Sequence, residues 1–365
     1  MMKVYYYDPY EKDPMIEREY VIIGGGIAGL STAMALAKEG KRSIALIDRE
    51  LSSSYHASGK NAGIVRTLTG DLDLTALTKE GRNMLVQAGL MKHTGGHLLA
   101  DKRELLSPYL KEARKLGISA TIGKGSGIMG LKSEEHLKIE DDGTLDIPAV
   151  LKYCSESLER SGIDLFFNSP VSAITPTDKG MIVTIPSNEI RAKTLINAAG
   201  AWASRISQMA GGMALPLATH QRHLSWSAAP YPSKGPWAWW MDRSLYLRAL
   251  DGGVLFSPCD NAAAEPPSSH TYPVDGPVIE ELANTIKNVA PVFKDTPLGK
   301  TWSALRTFTP DKKFVVGWDK VNPRLFWVAG LGGHGMTAGF AIGELAKNLL
   351  LNPQKHPLNP DRIKL

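Results

Sequence analysis

The feature that most constrains this chain is Gly24-Gly25-Gly26-Ile27-Ala28-Gly29, which sits between an apolar β-branched run and a helical pattern. Tyr20 to Ile23 stops at glycine and reads as a short buried strand. Ile27 to Lys38 follows with Leu30, Ala33, Met34 and Ala37 on one side and Gly40 as its stop, which predicts a helix. Ser43 to Ile47 is a second buried strand, ending at Asp48, with Arg49 after it a further candidate for binding the cofactor. Together they make a βαβ unit whose first turn is free of side chains. Gly24 permits the tight turn, Gly26 lets backbone approach a pyrophosphate, and Gly29 lets helix and strand pack closely. The N–H groups after Gly26, at Ile27 and Ala28, face the phosphates with the positive end of the helix dipole. Asp48 stands nineteen residues after Gly29, where a carboxylate accepts ribose hydroxyls. An acid there also disfavours an adenosine 2′-phosphate, by like-charge repulsion.

This fingerprint serves FAD and NAD equally. Two other segments separate them. Gly330-Leu331-Gly332-Gly333-His334-Gly335, leading to Met336, lies again between a predicted strand and a predicted helix. A simple nicotinamide dehydrogenase has no use for it. A helix start aimed at the pyrimidine end of an isoalloxazine would stabilise negative charge on the reduced ring. The loop His56-Ala57-Ser58-Gly59-Lys60-Asn61-Ala62-Gly63 has glycines that let amides lie against a flat ring, with Ser58 and Asn61 bonding its edge or the phosphates. Both point to FAD.

Of the remaining chain, Leu72 to Gln87 and Ile147 to Arg160 read as helices, and Val171 to Thr175 with Met181 to Ile185 as a hairpin. Thr194 to Asn197 and Leu325 to Val328 read as buried strands, and a helix follows the late glycines to about Leu350. Residues 213–300 are rich in aromatics and prolines and read as an antiparallel sheet. The expected class is α/β with an α+β second domain. A Rossmann-type FAD-binding domain would be assembled from 17–80, 145–212 and 302–365. A substrate domain would be formed by 81–144 and 213–301.

Composition excludes several other classes. The net charge of +5 is spread thinly, and the densest basic group, Lys111, Arg114 and Lys115, is interrupted by Glu112, so no nucleic-acid surface is expected. Two cysteines, Cys154 and Cys259, make no disulfide framework, and a reducing compartment fits them. Met1 to Glu19 carries no apolar core of a signal peptide, and no apolar run reaches the length of a membrane span. The expected location is cytoplasmic, with peripheral membrane contact compatible. His93 and His97 have helical spacing, but Gly95 and Gly96 lie between them, and no metal site is expected.

Taken in order, Tyr20 to Asp48, His56 to Gly63, Pro170-Val171, Leu195 to Trp202, Trp302 to Arg306, Asp311 and Phe326 to Met336 resemble the D-amino acid oxidase and dehydrogenase superfamily, also called glycine oxidase or sarcosine oxidase-like flavoproteins. Asn197-Ala198-Ala199-Gly200-Ala201-Trp202 and Trp302-x-x-Leu305-Arg306 are fairly specific together, and between Gly200 and Trp302 the likeness thins. The pattern is similar to bacterial D-amino acid dehydrogenases. The resemblance implies that the Val171 backbone contacts adenine, that Ala199 and Gly200, with Trp202 beyond them, pass close to the dinucleotide, and that Arg306 holds a substrate carboxylate. A guanidinium fork suits that role because it binds a carboxylate bidentately and fixes Cα–H toward flavin N5. Tyr246 matches a tyrosine that shares the carboxylate, and Arg222 is a second candidate cation. His56 stands where some relatives bond FAD covalently; non-covalent FAD is the expectation. His334 would face flavin or substrate.

The implied reaction is oxidation of a D-amino acid: hydride leaves Cα for FAD, and the imine hydrolyses to a 2-keto acid and ammonia. Oxidation of a secondary amine of the sarcosine, glycine or proline type, or of a 2-hydroxy acid, is the alternative. A nicotinamide-dependent dehydrogenase and a non-catalytic flavin-binding subunit are rivals from other classes. The electron acceptor, whether oxygen, quinone or a carrier, is left open.

Overall fold

A computed structural model describes residues 15–232, 234–268 and 272–364. Of the N-terminal stretch read above as lacking a signal peptide, residues 1–14 lie outside the described residues. By internal contact the chain divides into two compact units. The first comprises 1–59, 147–219 and 306–365, and the second 60–146 and 220–305. Residues 60–80, assigned from sequence to the cofactor domain, group with the second unit.

The first unit is built on a sheet whose centre is parallel. Ile16–Ile23 lies between Ile44–Ile47 and Glu189–Asn197, with Ile22 opposite Leu46 on one side and Ile196 on the other. Leu325–Ala329 joins in parallel beyond Glu189–Asn197, and Asp164–Phe166 beyond Ile44–Ile47. Parallel strands are covered on both faces, which is why these segments read as unbroken apolar runs. Val21, Ile22 and all four residues of Ile44–Ile47 are fully buried. The predicted hairpin, Ala173–Thr177 with Gly180–Thr184, pairs antiparallel to the start of Glu189–Asn197. Helix Ile27–Lys38 packs against helix Gly335–Leu351 at close range: a side-chain carbon at Gly343 would lie 2.4 Å from the Ser31 carbonyl oxygen.

The second unit carries the antiparallel sheet expected for 213–300. It includes Ala218–Ser227, Gly253–Ser257, Tyr246–Leu250 and Trp237–Trp240 in sheet order. Two features depart from that expectation. Trp237–Trp240 runs parallel to Gly96–Ala100, which brings in Glu135–Ile139 and Ala120–Lys124 from the earlier segment. Gly276–Val289 is a helix, burying Leu282, Ile286 and Val289 at helical spacing. Its pattern is short and flanked by prolines, so composition hid the period. A small sheet of Ile64–Val65, Gly143–Leu145 and Met91–His93 completes this unit.

Among the described residues, no helix is long and apolar enough to cross a membrane, and no group of three or more His, Cys, Asp or Glu could hold a metal ion.

Candidate functional site

In the first unit the glycine turn is fixed by backbone contacts. Gly24 has φ +112°, a conformation open to glycine. A methyl carbon at Gly29 would lie 1.9 Å from the Gly24 carbonyl oxygen, so only hydrogen fits there. The helix begins at Ile27, whose N–H donates to Ser58 Oγ at 3.0 Å. Sequence had placed Ser58 against a ring edge or phosphates; it stands at the helix start. Its hydroxyl accepts from Ile27 and keeps a proton to donate, beside a Gly26 whose Cβ position is 3.1 Å from that same oxygen.

Asp48 closes the other side of the turn. One carboxylate oxygen accepts the Gly25 N–H at 2.5 Å and the other the Glu50 N–H at 2.8 Å. A carboxylate offers about four acceptor sites, so two remain for hydroxyls. Burial raises the Asp48 pKa above the usual carboxylate value, opposed by those two backbone bonds. Ser169 N–H donates to the Asp48 carbonyl at 2.9 Å, which holds the segment leading to Val171 alongside it. Val171 is half-buried against the core of this unit.

A side-chain cluster follows directly. Glu50 is 1% exposed, and its Oε1 accepts from Arg49 Nε at 2.7 Å and His56 Nε2 at 2.8 Å. Arg49 lies 4.7 Å over the Trp202 ring, and the His56 and Trp202 rings are 4.5 Å apart. Burial pushes the Glu50 pKa up, but the hydrogen bonds from His56 and Arg49 outweigh it and hold the carboxyl below its ordinary value. Three residues chosen from sequence, Arg49, His56 and Trp202, are thus brought together by one that was missed. The signal for Glu50 was its place two residues after Asp48, where a charged side chain still faces inward. Ala199 and Gly200 precede Trp202; Gly200 has φ +54°, and Ala199 N–H donates to Asn197 Oδ1 at 3.3 Å.

The late glycine turn is tied to the strand that carries Arg306. Gly332 N–H donates to the Thr307 carbonyl at 3.0 Å. Gly332 has φ +52°, and its Cβ position would fall 2.6 Å from the Phe308 ring. The Arg306 guanidinium lies 5.2 Å over that ring, and a side-chain carbon at the exposed Gly333 would be 3.9 Å from Arg306 Nη1. Gly330 turns beside Thr309 with φ +69°. His334 precedes the helix that starts at Gly335, and its side chain makes no capping bond. Met336 is turned into the core.

In the second unit, Lys60, Asn61, Ala62 and Gly63 are fastened locally. Trp302 Nε1 donates to the Lys60 carbonyl at 3.2 Å, and Lys60 Nζ lies 4.6 Å over the Tyr272 ring. Burial lowers the Lys60 pKa. Asn61 Oδ1 accepts from Gly63 N–H, and the Gly63 carbonyl accepts from Arg248 Nη1, both at 2.8 Å. Ala62 packs beside Leu224, Tyr246 and Leu255. Gly59, by contrast, ends the first unit against the Ser54 backbone.

Tyr246 is buried and pairs with Trp239 across adjacent strands, their rings 4.5 Å apart. Arg222 lies 5.9 Å from the Tyr246 ring and donates from Nε to the Asp260 carbonyl at 2.8 Å. Tyr246 and Arg222 therefore belong together in one unit, while Arg306 belongs with Gly332 and Gly333 in the other. Trp239 was not singled out in the sequence, because its partner is set by strand register rather than by spacing.

Residues 19–349 match the DAO family, described as FAD dependent oxidoreductase. The human mitochondrial sarcosine dehydrogenase is 25% identical over 359 residues, covering 89% of this chain and 38% of that protein. The glycine oxidase of Bacillus licheniformis is 24% identical over 381 residues, covering 92% of this chain and 94% of the other. The chain spans about two-fifths of the length of the sarcosine and dimethylglycine dehydrogenases it matches. Among solved structures, the L-proline dehydrogenase of P. horikoshii has a TM-score of 0.86 at 20% identity, covering 96% of this chain and 98% of that one. The glycine oxidase of Geobacillus kaustophilus has a TM-score of 0.83 at 20% identity, covering 96% and 100%.

Proposed function

This chain belongs to the DAO family of FAD-dependent oxidoreductases, and on that premise we propose that it oxidises a small amino acid or its N-substituted derivative at the carbon bearing nitrogen. The observation that carries the reading is the placement of Arg306 against the late glycine turn, with Gly333 beside its Nη1. A guanidinium suits a carboxylate because its planar fork binds it bidentately, and Gly333 beside it has no side chain to block the approach. The D-amino acid class expected from the resemblance remains a second reading. The relatives named for sarcosine, dimethylglycine and glycine support the secondary-amine and glycine class first.

The residues fit FAD. The first turn is bare backbone, Ser58 keeps a hydroxyl proton at the helix start, and Asp48 has acceptor sites left for ribose. The late turn has glycine at 330, 332 and 333, the first two at positive φ, which suits bare backbone lying against a flat ring. Bound FAD supplies the hydride acceptor. In this reading Gly24, Gly26, Ile27, Ala28, Gly29 and Ser58 hold the pyrophosphate and Asp48 the ribose. Val171 and Ala199 border the adenosine half. Arg306 binds and orients the carboxylate so that the carbon to be oxidised is held in one pose. Non-covalent FAD is supported by His56, whose Nε2 is engaged by Glu50 at 2.8 Å; alkylation at that nitrogen would break this bond.

The deciding experiment is anaerobic titration of the yellow protein with sarcosine, glycine, proline and a panel of D- and L-amino acids, reading flavin absorbance. Bleaching by sarcosine or glycine is expected. Bleaching by D-amino acids alone would move the assignment to the second reading, and no bleaching by any amine would sink both.

A further inference from the structure

Three consecutive residues of the first unit bracket the late glycine turn. The Thr307 carbonyl accepts the Gly332 N–H at 3.0 Å, and the Phe308 ring faces Gly332. Thr309 Cγ2 would lie 3.3 Å from a side-chain carbon at Gly330. Thr309 is buried, and its hydroxyl stands 2.6 Å from Asp311 Oδ1 and 2.7 Å from the Lys313 carbonyl. Asp311 Oδ1 also accepts the Lys313 N–H at 3.1 Å, so residues 309–313 close into a small loop.

One arginine holds that loop from outside. Arg362 donates from Nε to Asp311 Oδ2 at 2.7 Å, and from Nη2 to Asp311 Oδ1 at 3.1 Å and the Lys313 carbonyl at 3.2 Å. Its Nη1 donates to the Leu358 and Asn359 carbonyls at 2.8 and 3.1 Å. All five N–H donors of the guanidinium are therefore used. Leu358 is fully buried, and its carbonyl also accepts the Val316 N–H at 3.0 Å, which gives the arginine a fixed base. Burial pushes the Asp311 pKa up, but the hydrogen bonds from Arg362, Thr309 and the Lys313 N–H outweigh it and bring it to about 2.

An ion pair this near the surface contributes only about 0–1 kcal/mol to stability. What its planar, bidentate geometry supplies is position. The adjoining turn needs that, because Gly330 and Gly332, at φ +69° and +52°, have no side chains to lock them. We propose that Arg362, acting through Asp311 and Thr309, is a positioning residue for the turn Gly330–Gly335, and that by holding the turn's N–H groups in place it raises the two-electron potential of bound FAD. The flavin half of this statement rests on the function proposed above; the positioning half stands without it. N–H groups and the positive end of helix Gly335–Leu351 stabilise negative charge on a reduced ring only while they are fixed.

The test compares Arg362→Gln, Arg362→Lys and Arg18→Gln in the FAD-loaded protein. Arg18 donates to Asp164 at 2.6 Å in the same unit, but at the opposite end of the parallel sheet from the turn. Hydrogen exchange at the Gly332 amide reads the turn directly. Arg362→Gln should speed it by about tenfold or more relative to the amides of helix Ile27–Lys38. It should also lower the flavin potential, measured against reference dyes, by ~30 mV, a tenfold change in the reduction equilibrium. Arg362→Lys, which keeps charge but loses the fork, should recover part of both. Arg18→Gln should change neither. If Arg362→Gln does not fold, Asp311→Asn, which keeps one acceptor oxygen, is read in the same two ways. Unchanged exchange at Gly332, an equal rise in turn and helix, or an equal effect of Arg18→Gln would each overturn the positioning role. Faster exchange with an unchanged potential would overturn the flavin half. Absence of flavin bleaching by any amine would count against the proposed activity and leave both results standing.

Discussion

Gly332 donates its backbone N–H to the carbonyl of Thr307 at 3.0 Å, which pins the late glycine turn to the residue next to Arg306. That single bond fixes where the guanidinium stands relative to the turn. Arg306→Met removes the fork without altering the backbone, and kcat/KM for the amine substrate should fall by about a hundredfold or more, ~2.7 kcal/mol. Arg306→Lys should recover only part of it, because a point charge does not hold a carboxylate in one plane. Steady-state kinetics check both. Unchanged kinetics in Arg306→Met would remove this residue from the site.

The contact between Gly29 and the Gly24 carbonyl leaves no room for a methyl group. Gly29→Ala should push the helix start away from the strand and yield colourless or unstable protein. Asp48→Asn keeps an oxygen for one backbone bond but loses the charge and the other acceptor oxygen. Its FAD Kd should rise by about tenfold or more, ~1.4 kcal/mol, read by flavin fluorescence on dilution.

Glu50 is enclosed with Arg49 and His56 as its hydrogen-bond partners. Its pKa is held below the ordinary value, so its stabilisation is full above the unfolded carboxylate range and fades as pH falls through the lower folded value. Glu50→Gln should cost about 2 kcal/mol at neutral pH and less under acid conditions. Urea unfolding at pH 7 and pH 4 measures this. Equal loss at the two pH values would show that charge is not the cause.

Asp142 behaves in the opposite sense. Burial is the main cause raising its pKa, to about 7, against the hydrogen bonds of Thr67 and the charges of Arg82 and Arg66. The folded chain then binds a proton that the unfolded chain has released, so this group lowers stability as pH rises from about 4 to about 7, by up to ~1.4 kcal/mol per pH unit. Asp142→Asn retains an acceptor for Thr67 and cannot ionise. Its stability relative to wild type should improve across that window and stay level above it. A difference that does not change with pH would mean that Asp142 does not titrate there.

The sequence by itself determined the parallel core and its first turn. Glycine spacing, an acid at the strand end and apolar runs are local properties, and the structure follows them nearly residue for residue at Ile27–Lys38 and Leu72–Gln87. It also marked Arg49, His56 and Trp202 separately, without showing that they meet. Only tertiary structure decided that Glu50 joins them, because a glutamate two residues past a strand faces water or core according to what packs above it. The helix Gly276–Val289 and the parallel pairing of Trp237–Trp240 with Gly96–Ala100 were likewise beyond local reading. Strand partners far apart in sequence leave no periodic trace. The same reason hid the pairing of Trp239 with Tyr246: only the register of two strands brings those rings within 4.5 Å of each other.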